Sequence, residues 1–289
     1  MSRIAYVNGR YLPHRDARVH VEDRGYQFAD AVYEVIAIRD GHFIDEDRHL
    51  ARLTRSRTEL KLAAPMSDAA LKTVIHETAR RNNVANGIVY LQVSRGVPKP
   101  GARSFAFPTG AKPSLVVTAR AQTIADPAIA ARGVAVITVP DQRWKRPDIK
   151  SVSLLPNVIA RQAARDADCY EAWQVDSYGN VTEGTSSNAW IVNGTGEVIT
   201  RHISDNGILS GVTRHGLMDI VARAGLRLTE RPFSVNEAKT AREAFLTSAT
   251  NGVMPVVKID SRPIGDGRPG ALTVTLAAAY RAFMDEIPE

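Results

Sequence analysis

Lys150 is the residue of this sequence whose side chain has the most recognisable chemistry. It lies in RWKRPDIKSVSLLPN, residues 143–157, where a polar turn leads straight into an apolar run. A lysine amine can attack a carbonyl carbon and form a Schiff base. The chain has only eight lysines against 29 arginines, so few residues compete for that role. One lysine between an acid and a serine is weak support by itself, because most lysines are solvated and do no chemistry.

A second polar stretch, VTEGTSSNAWIV at 181–192, raises the weight of Lys150. It places one acid, Glu183, directly before a run of small polar residues that can approach a planar ring closely. Taken alone, such a run is typical of a surface turn that joins two strands. The combination of the two stretches is therefore more informative than either one.

The two stretches resemble the fold-type IV enzymes that depend on pyridoxal phosphate. This class includes D-amino acid, branched-chain and (R)-amine transaminases and aminodeoxychorismate lyase, and the chain is most similar to the D-amino acid transaminases. The resemblance covers almost the whole chain, and its motifs come in the family's order: EDRGYQFADAVYEV at 22–35, RHLARL at 48–53, RGVPKPGARSFAFP at 95–108, DIKS at 148–151, TEGTSSN at 182–188, GILSGVTR at 207–214 and LTSAT at 246–250. Seven ordered matches are far more specific than any single one.

The resemblance implies a homodimer with a shared active site and a role for each polar stretch. Lys150 would form the Schiff base with pyridoxal phosphate and move a proton between the substrate and the cofactor. Glu183 would lie at the ring nitrogen, because a protonated pyridinium is the electron sink that transamination needs. We leave Arg143 out of the catalytic set, since it could either contact groups around the ring or form a salt bridge to Asp141.

A phosphate group calls for a helix N-terminus with free N–H groups and a cation. The resemblance places Gly211, Val212 and Thr213 at such an N-terminus, although Thr213 could also cap its own helix. Arg52 has a guanidinium suited to a bidentate contact with phosphate oxygens.

Four further positions match cofactor contacts of the family. Ser187 and Leu209 fall in two of its motifs, and Ser248 in LTSAT matches another phosphate contact. The next residue is Ala249, where the D-amino acid enzymes typically have threonine. Only a backbone N–H can serve at that position, so one phosphate hydrogen bond is expected to be missing.

Substrate selection is expected in the N-terminal domain. Tyr33 and Arg103 match a tyrosine and an arginine that hold the α-carboxylate in D-amino acid transaminases, and the arginine is contributed by the neighbouring subunit. A histidine of the same set is replaced by Phe105, which makes the pocket more apolar. Tyr26 also fits the family pattern and is expected to line the pocket.

Several alternatives stay open. Phe105 favours an (R)-amine transaminase, while branched-chain transaminases and, with less support, aminodeoxychorismate lyase share the same motifs. An alternative outside the enzymes is a basic ligand-binding or RNA-binding protein that retains the fold. The expected substrates are a D-amino acid and a 2-oxo acid, and no metal is expected.

Composition and charge are those of an ordinary globular protein. The 289 residues are 44% hydrophobic and 24% charged, with a net charge of +6. The arginines are scattered among acids, without a basic tract or an aromatic platform, so we expect no nucleic-acid partner. An apolar run of about 18 residues is missing, so we expect no membrane association. The single cysteine, Cys169, fits a reducing compartment, and the protein is expected to be cytoplasmic.

The elements that must position these residues follow from turn signals and periodicity. Asn8-Gly9 and Asp40-Gly41 are typical of tight hairpins, and two helices are predicted from Glu46 to about residue 62 and from Ser67, a good N-cap, to about residue 81. The predictions along the remainder are strands at 87–96, 114–120, 133–139, 171–176, 189–193, 227–230, 243–247 and 253–259, and helices at 154–168, at 212–224 before a Gly225 C-cap, and from about 270.

The order of these elements predicts two domains. Residues 1–120 form an α+β domain on the substrate side that also makes dimer contacts. Residues 121–132, with Pro127 and little periodicity, form a linker. Residues 133–289 form an α/β domain that binds the cofactor.

Overall fold

The computed structural model describes residues 3–98, 103–204 and 207–285. The chain divides into two compact units. Unit 1 consists of Met1–Thr123 and Ile149–Ser153, and unit 2 consists of Ile124–Asp148 and Leu154–Glu289. The predicted boundaries at 1–120, 121–132 and 133–289 stay a prediction.

Unit 1 is an antiparallel sheet with helices. Within its described residues the elements are β1 (Ile4–Val7), β2 (Arg10–Pro13), α1 (Arg24–Phe28), β3 (Ala31–Arg39), β4 (His42–Phe43), α2 (Glu46–Glu59), α3 (Asp68–Arg81), β5 (Gly87–Ser94) and β6 (Ser114–Ala121). The six strands pair in the order β2-β1-β6-β5-β3-β4.

Two tight turns explain the hairpins at the edges of this sheet. Asn8 and Gly9 have φ angles of +46° and +93°, and Asp40 and Gly41 have φ angles of +49° and +88°. Two successive residues with positive φ match the twist of the flanking strands, and Asn-Gly and Asp-Gly tolerate this conformation best. Both predicted hairpins are confirmed, as β1–β2 and β3–β4.

The core of unit 1 lies between the sheet and the helices α2 and α3. Val32 and Ile36 lie on the same face of β3. They belong to one apolar cluster with Leu53 of α2 and Ile75 of α3. Ser67 caps α3, because its side chain accepts a hydrogen bond from the Ala70 N–H at 3.3 Å. The two predicted helices and the Ser67 N-cap are therefore confirmed.

Unit 2 is a mixed sheet with helices. Its described elements are α4 (Pro127–Arg132), β7 (Val134–Pro140), α5 (Leu155–Asp166), β8 (Glu171–Val175), β9 (Val181–Gly184), β10 (Asn188–Val192), β11 (Val198–Thr200), α6 (Val212–Arg223), β12 (Leu228–Glu230), α7 (Val235–Thr240), β13 (Glu243–Ser248), β14 (Gly252–Ile259), β15 (Arg262–Pro263) and α8 (Ala271–Asp285). The strands pair in the order β12-β11-β10-β13-β14-β7-β8-β9, and β15 pairs with β14. Three of the pairs are parallel, namely β7–β8, β7–β14 and β11–β12.

Aromatic side chains fill the interior of unit 2. Trp190 stacks on Phe245 with ring centroids 5.4 Å apart, and its indole N–H donates to the Thr247 hydroxyl at 3.0 Å. Trp173 meets Phe233 edge to face at 6.4 Å. The contacts of Trp190 combine a large buried area with a satisfied indole donor. The predicted fold class, an α+β unit followed by an α/β unit, is confirmed.

Several local elements differ from the sequence-based expectation. The strand after β8 is β9, which was not among the predicted strands, and a turn at Tyr178–Asn180 joins the two. Helix α4 occupies part of the stretch interpreted as a linker, and α1, α7 and β11 were not predicted. Helix α6 has Ala224 at its C-cap, and Gly225 follows with a φ of +65°. Such short elements carry little periodic signal and depend on distant partners.

No helix within residues 3–98, 103–204 and 207–285 is both long enough and apolar enough to cross a membrane.

Candidate active site

The backbone of Lys150 is fixed within unit 1. Its N–H donates to the Ser56 hydroxyl at 3.2 Å, and its carbonyl accepts from the Tyr33 N–H at 3.0 Å. Ser151 bridges to Val32 of β3. The side chain is half-buried, and Nζ lies 4.3 Å from the centroid of the Tyr33 ring. Two neighbouring elements, α2 and β3, therefore hold the amine against an aromatic face.

Arg52 takes part in a buried ionic cluster of unit 1. Its guanidinium binds Glu34 in a bidentate pair, with Nε 2.8 Å from Oε1 and Nη2 2.7 Å from Oε2. The His49 Nδ1 atom lies 2.7 Å from Glu34 Oε2. Burial raises the pKa of Glu34, but Arg52 and His49 outweigh it and leave that pKa at about 2. Glu34 is therefore a full negative charge that orients the Arg52 fork.

Glu34 and His49 were missed by sequence reasoning, although a signal existed. Glu34 shares the inward face of β3 with Val32 and Ile36. A charged residue on an apolar face requires a buried partner. His49 and Arg52 are three residues apart on α2, so they lie on one side of that helix. Burial is the main cause that lowers the pKa of His49.

The expected substrate residues all lie in unit 1. The Tyr33 ring lies 5.7 Å from the Tyr90 ring, and burial is the main cause that raises the pKa of Tyr90 to about 12. Arg103 is exposed, with its guanidinium carbon 4.8 Å from the centroid of Phe28. Phe105 is 80% exposed.

Tyr26 lies in α1 and is 78% exposed, so it is not a core aromatic residue. It lines a cavity of about 350 Å³ in unit 1 together with Asp23, Gln92 and Val152. Val152 is two residues from Lys150.

Glu183 is the centre of a buried polar network in unit 2. It lies on β9, and its carboxylate contacts the guanidinium of Arg143. The Leu209 N–H donates to both carboxylate oxygens at 3.1 and 3.2 Å, and the Asn188 amide donates to Oε2 at 3.0 Å. Burial raises the pKa of Glu183, and Arg143 and the Leu209 N–H oppose that rise. The network fixes the carboxylate and leaves it more basic than an ordinary glutamate.

Arg143 has a larger role than the sequence suggested. Its guanidinium binds Asp141 at 2.9 and 2.6 Å as well as Glu183, so the salt bridge to Asp141 is confirmed. Burial lowers the pKa of Arg143, but the carboxylates of Glu183 and Asp141 outweigh it and leave the pKa above its usual value. The contact with Glu183 was not expected, because the two residues are far apart in sequence.

The small polar residues after Glu183 are held by a second buried carboxylate, Glu171 on β8. The hydroxyls of Thr185, Ser186 and Ser187 donate to its oxygens at 2.5, 3.2 and 3.2 Å. Gly184 allows this packing, since a Cβ there would lie 2.2 Å from the Ser187 hydroxyl. Ser187, expected at the cofactor, therefore has its hydroxyl bonded to Glu171.

Helix α6 begins after a glycine. Gly211 is its N-cap and has no side chain to cap the helix, so Thr213 is not the N-cap residue. A Cβ at Gly211 would lie 2.0 Å from Asn188 Oδ1. Val212 and Thr213 are buried in the first turn. Backbone N–H groups at such an end attract anions.

Ser248 ends β13, and Ala249 follows in the turn to β14. Both residues are half-buried. The Ser248 hydroxyl accepts a hydrogen bond from the Asn251 N–H at 3.2 Å and lies 3.4 Å from the Thr250 hydroxyl. A short polar turn thus follows a strand of unit 2 that is buried from Glu243 to Thr247.

The family of the chain follows from its sequence similarity to known proteins. The model of amino-transferase class IV matches residues 31–259. The chain belongs to the amino-transferase class IV family. It is 40% identical over 275 residues to the D-alanine aminotransferase of Bacillus licheniformis, covering 95% of this chain and 94% of that protein. It is 36% identical over 282 residues to the D-alanine aminotransferase of Listeria innocua, covering 97% and 95%.

Solved structures show the same fold for this class IV aminotransferase. The branched-chain amino acid aminotransferase of Escherichia coli superposes with a TM-score of 0.89, at 20% identity and with 98% of this chain and 95% of that chain covered. The branched-chain aminotransferase of Thermoproteus uzoniensis with norvaline gives 0.86, at 24% identity and with 98% and 95% covered. A further branched-chain enzyme, solved with pyridoxamine 5'-phosphate, gives 0.87 at 22% identity, with 98% and 94% covered. Identities this low establish the fold alone.

Proposed function

We propose that this class IV aminotransferase uses pyridoxal phosphate to move an amino group from a D-amino acid of the D-alanine type to a 2-oxo acid. The observation that carries the proposal is the 40% identity to a D-alanine aminotransferase over 95% of the chain. The structures of branched-chain enzymes share the fold at 20 to 24% identity and do not favour their substrates.

The side chains of both units fit pyridoxal phosphate. The aldehyde of the cofactor requires an amine, and Lys150 of unit 1 has one. A pyridine nitrogen requires a fixed carboxylate, and Glu183 is buried and held by Arg143 and Leu209. When bound, the cofactor supplies a conjugated ring that withdraws electrons from the substrate α-carbon. The fixed negative charge of Glu183 would stabilise a proton on the ring nitrogen.

Arg52, Ser248, Ala249 and the first turn of α6 form the proposed phosphate set. Arg52 contributes a guanidinium whose orientation Glu34 fixes. Val212 and Thr213 contribute N–H groups at a helix end whose N-cap residue, Gly211, has no side chain. Such ends bind phosphate through aligned N–H groups and the helix dipole. Ala249 contributes only a backbone N–H.

Lys150 has two tasks in this proposal. Its amine would hold the cofactor and, once released by substrate, would accept a proton from the substrate α-carbon and deliver it to carbon C4′ of the cofactor. A proton carrier must stay within hydrogen-bond reach of both atoms, so its backbone has to be fixed. The contacts of its N–H and carbonyl with Ser56 and Tyr33 meet that requirement.

Tyr33, Arg103, Phe105 and Tyr26 form the proposed substrate set. Arg103 binds the α-carboxylate, and Phe105 presents an apolar surface in place of a histidine. We further propose a cytoplasmic homodimer in which the neighbouring subunit supplies Arg103, with residues 1–120 on the substrate side and residues 133–289 binding the cofactor. The exposure of Phe105 and Tyr26 supports a surface that a second subunit covers.

Phe105 also supports a second candidate function, an (R)-amine transaminase. A phenyl ring at that position removes one hydrogen-bond donor for a carboxylate and adds contact area for an apolar substituent. An amine donor lacks the carboxylate, so it would not use the Arg103 charge.

Steady-state turnover tests the proposal and separates these candidates. Protein loaded with pyridoxal phosphate is mixed with 2-oxoglutarate and one of four donors: D-alanine, L-alanine, L-leucine or (R)-1-phenylethylamine. We expect the highest kcat/KM with D-alanine. A preference for L-leucine or for the amine would replace the D-amino acid assignment, and no turnover with any donor would remove the transaminase assignment.

A further inference from the structure

The connection between β5 and β6 is long for a hairpin of unit 1. It runs from residue 95 to residue 113, and its described residues include Arg103, Phe105 and Phe107. Residues 95–98 and 103–113 of this connection form no helix or strand. Long connections of this kind are uncommon in compact folds and often functional. This loop carries the arginine that the proposed function assigns to the substrate carboxylate. Its conformation therefore matters for substrate binding.

The two ends of the β5–β6 loop are joined at Gly96. This residue has a φ of +87°, and a Cβ there would lie 1.8 Å from the carbonyl oxygen of Lys112. Only glycine fits such a close approach with positive φ. The Gly96 carbonyl also accepts a hydrogen bond from the Arg24 N–H at 3.0 Å.

Arg24 holds the middle of the same loop. The side chain is 3% exposed, although it belongs to the short helix α1. Its Nη1 donates to the Ser104 carbonyl at 2.6 Å, and its Nη2 donates to the Phe105 carbonyl at 3.1 Å. Two charge-assisted bonds from one planar group fix two successive carbonyls of the loop backbone.

Asp30 in turn fixes Arg24. Its Oδ2 accepts from Arg24 Nε at 2.8 Å and from Arg95 Nε at 2.7 Å, and its Oδ1 accepts from Arg95 Nη2 at 2.9 Å. Arg95 also donates to the carbonyls of Leu60 and Lys61 after α2. One carboxylate thus orients two buried guanidinium groups.

Aromatic stacking extends this arrangement to the substrate arginine. The guanidinium carbons of Arg24 and Arg103 both lie 4.8 Å from the centroid of Phe28. Phe28 also packs against Phe105 at 5.4 Å. Arg95 lies 3.7 Å from the centroid of Phe107, further along the loop. The loop is therefore anchored at three points by the two arginines that Asp30 holds.

We propose that Asp30, acting through Arg24 and Arg95, is a positioning residue that holds the β5–β6 loop and thereby presents Arg103 to the carboxylate of the amino donor. The inference rests on the proposed function for its link to substrate. The restraint on the loop itself stands on the contacts within unit 1. Loss of Asp30 therefore loosens the loop first and weakens carboxylate binding as a consequence.

The test uses the full chain loaded with pyridoxal phosphate and two variants. Asp30→Asn keeps the size of the side chain and removes its charge. Arg24→Lys keeps the charge but loses the planar guanidinium that donates to two carbonyls. It tests the proposal if Asp30→Asn does not fold. Asp16→Asn is the matched control, because Asp16 is exposed and paired only with the exposed Arg15 at 3.7 Å among its described contacts.

Hydrogen exchange measured by mass spectrometry reports the loop directly. In both variants we expect the amides of residues 103–107 to exchange about ten-fold faster, and KM for D-alanine to rise about ten-fold with kcat nearly unchanged. Affinity for pyridoxal phosphate stays at the parent value, and the control behaves like the parent. Parental exchange and KM in both variants would overturn the proposal.

Other outcomes are equally decisive. A fall in kcat and in cofactor affinity with parental exchange at 103–107 would show that the cluster is a general structural support and would contradict the proposal. If the parent enzyme does not use D-alanine, the proposed function fails. Hydrogen exchange at residues 103–107 would still show whether Asp30 holds the loop.

Discussion

The guanidinium of Arg52 holds the carboxylate of Glu34 in a bidentate pair, with Nε 2.8 Å from Oε1 and Nη2 2.7 Å from Oε2. This geometry fixes the plane of the guanidinium in the interior of unit 1. A preorganised cation loses little conformational entropy when it binds an anion. Glu34 on β3 thus fixes the position of the Arg52 guanidinium on α2, which we propose binds the cofactor phosphate.

The pair also predicts a specific acid sensitivity. The folded-state pKa of Glu34 is about 2, below its ordinary value of 4.5. A depressed pKa stabilises the fold above pH 4.5, and that stabilisation is lost as the pH falls from 4.5 towards 2. The loss amounts to about 3 kcal/mol of unfolding free energy.

Urea unfolding between pH 7 and pH 2 checks this expectation with Glu34→Gln. We expect the variant to be about 3 kcal/mol less stable at pH 7, because Arg52 and His49 lose their buried partner. Its stability should also fall less steeply below pH 4.5. Glu77→Gln is the control, since Glu77 pairs with arginines on an exposed helix face and should change little. Parallel acid profiles for the parent and Glu34→Gln would contradict the account of this cluster.

Lys150→Ala should abolish transamination. We expect a loss of about a thousandfold or more in kcat, because both the covalent attachment and the proton carrier disappear. The fold, checked by circular dichroism, should persist, since the Lys150 contacts with Ser56 and Tyr33 are made by its backbone. Lys145→Ala, which removes an exposed lysine of the same sequence stretch, should remain active. Full activity of Lys150→Ala would remove Lys150 from the site.

Arg103→Ala should weaken carboxylate binding selectively. We expect KM for D-alanine to rise by about ten-fold to a hundredfold, with affinity for pyridoxal phosphate unchanged. KM for (R)-1-phenylethylamine should not rise, because that donor has no carboxylate. Arg120→Ala, another exposed arginine of unit 1, serves as the control. An unchanged KM for D-alanine would exclude Arg103 from substrate binding.

Gly211→Ala should disturb the N-terminus of α6. The added Cβ would lie 2.0 Å from Asn188 Oδ1, so either the helix end or the Asn188 amide must shift. Because Asn188 also binds Glu183, we expect about ten-fold weaker binding of pyridoxal phosphate. Gly194→Ala is the matched control, as no atom lies within 4 Å of a Cβ there. Equal affinities in the two variants would argue against a phosphate site at this helix end.

Part of this molecule was predictable from local sequence. The Asn8-Gly9 and Asp40-Gly41 turns and the Ser67 cap depend on neighbouring residues alone, so sequence signals located them correctly. Strand β9 was missed because it has only four residues, of which Val181 alone is a large apolar residue, and because it depends on pairing with β8. The same limit applies to the network around Glu183, whose partners Arg143 and Leu209 lie 40 and 26 residues away.

The segment that carries Lys150 illustrates this dependence on distant contacts. By its place in the sequence it belongs with the residues predicted to bind the cofactor. The structure assigns Ile149–Ser153 to unit 1 instead, because this segment bonds to β3 and α2. Contacts between residues 94 or more positions apart along the chain leave no periodic signal. The motif around Lys150 was therefore recognisable, whereas its surroundings were not.

The most direct test of the proposed function is a half-reaction in a spectrophotometer. Protein loaded with pyridoxal phosphate is mixed, in the absence of a 2-oxo acid, with D-alanine, L-leucine or (R)-1-phenylethylamine, and the conversion of the cofactor to its pyridoxamine form is followed by absorbance. We expect D-alanine to convert the cofactor rapidly and the other two donors to convert it much more slowly. Conversion by L-leucine or the amine alone would contradict the assignment of a D-amino acid as the amino donor.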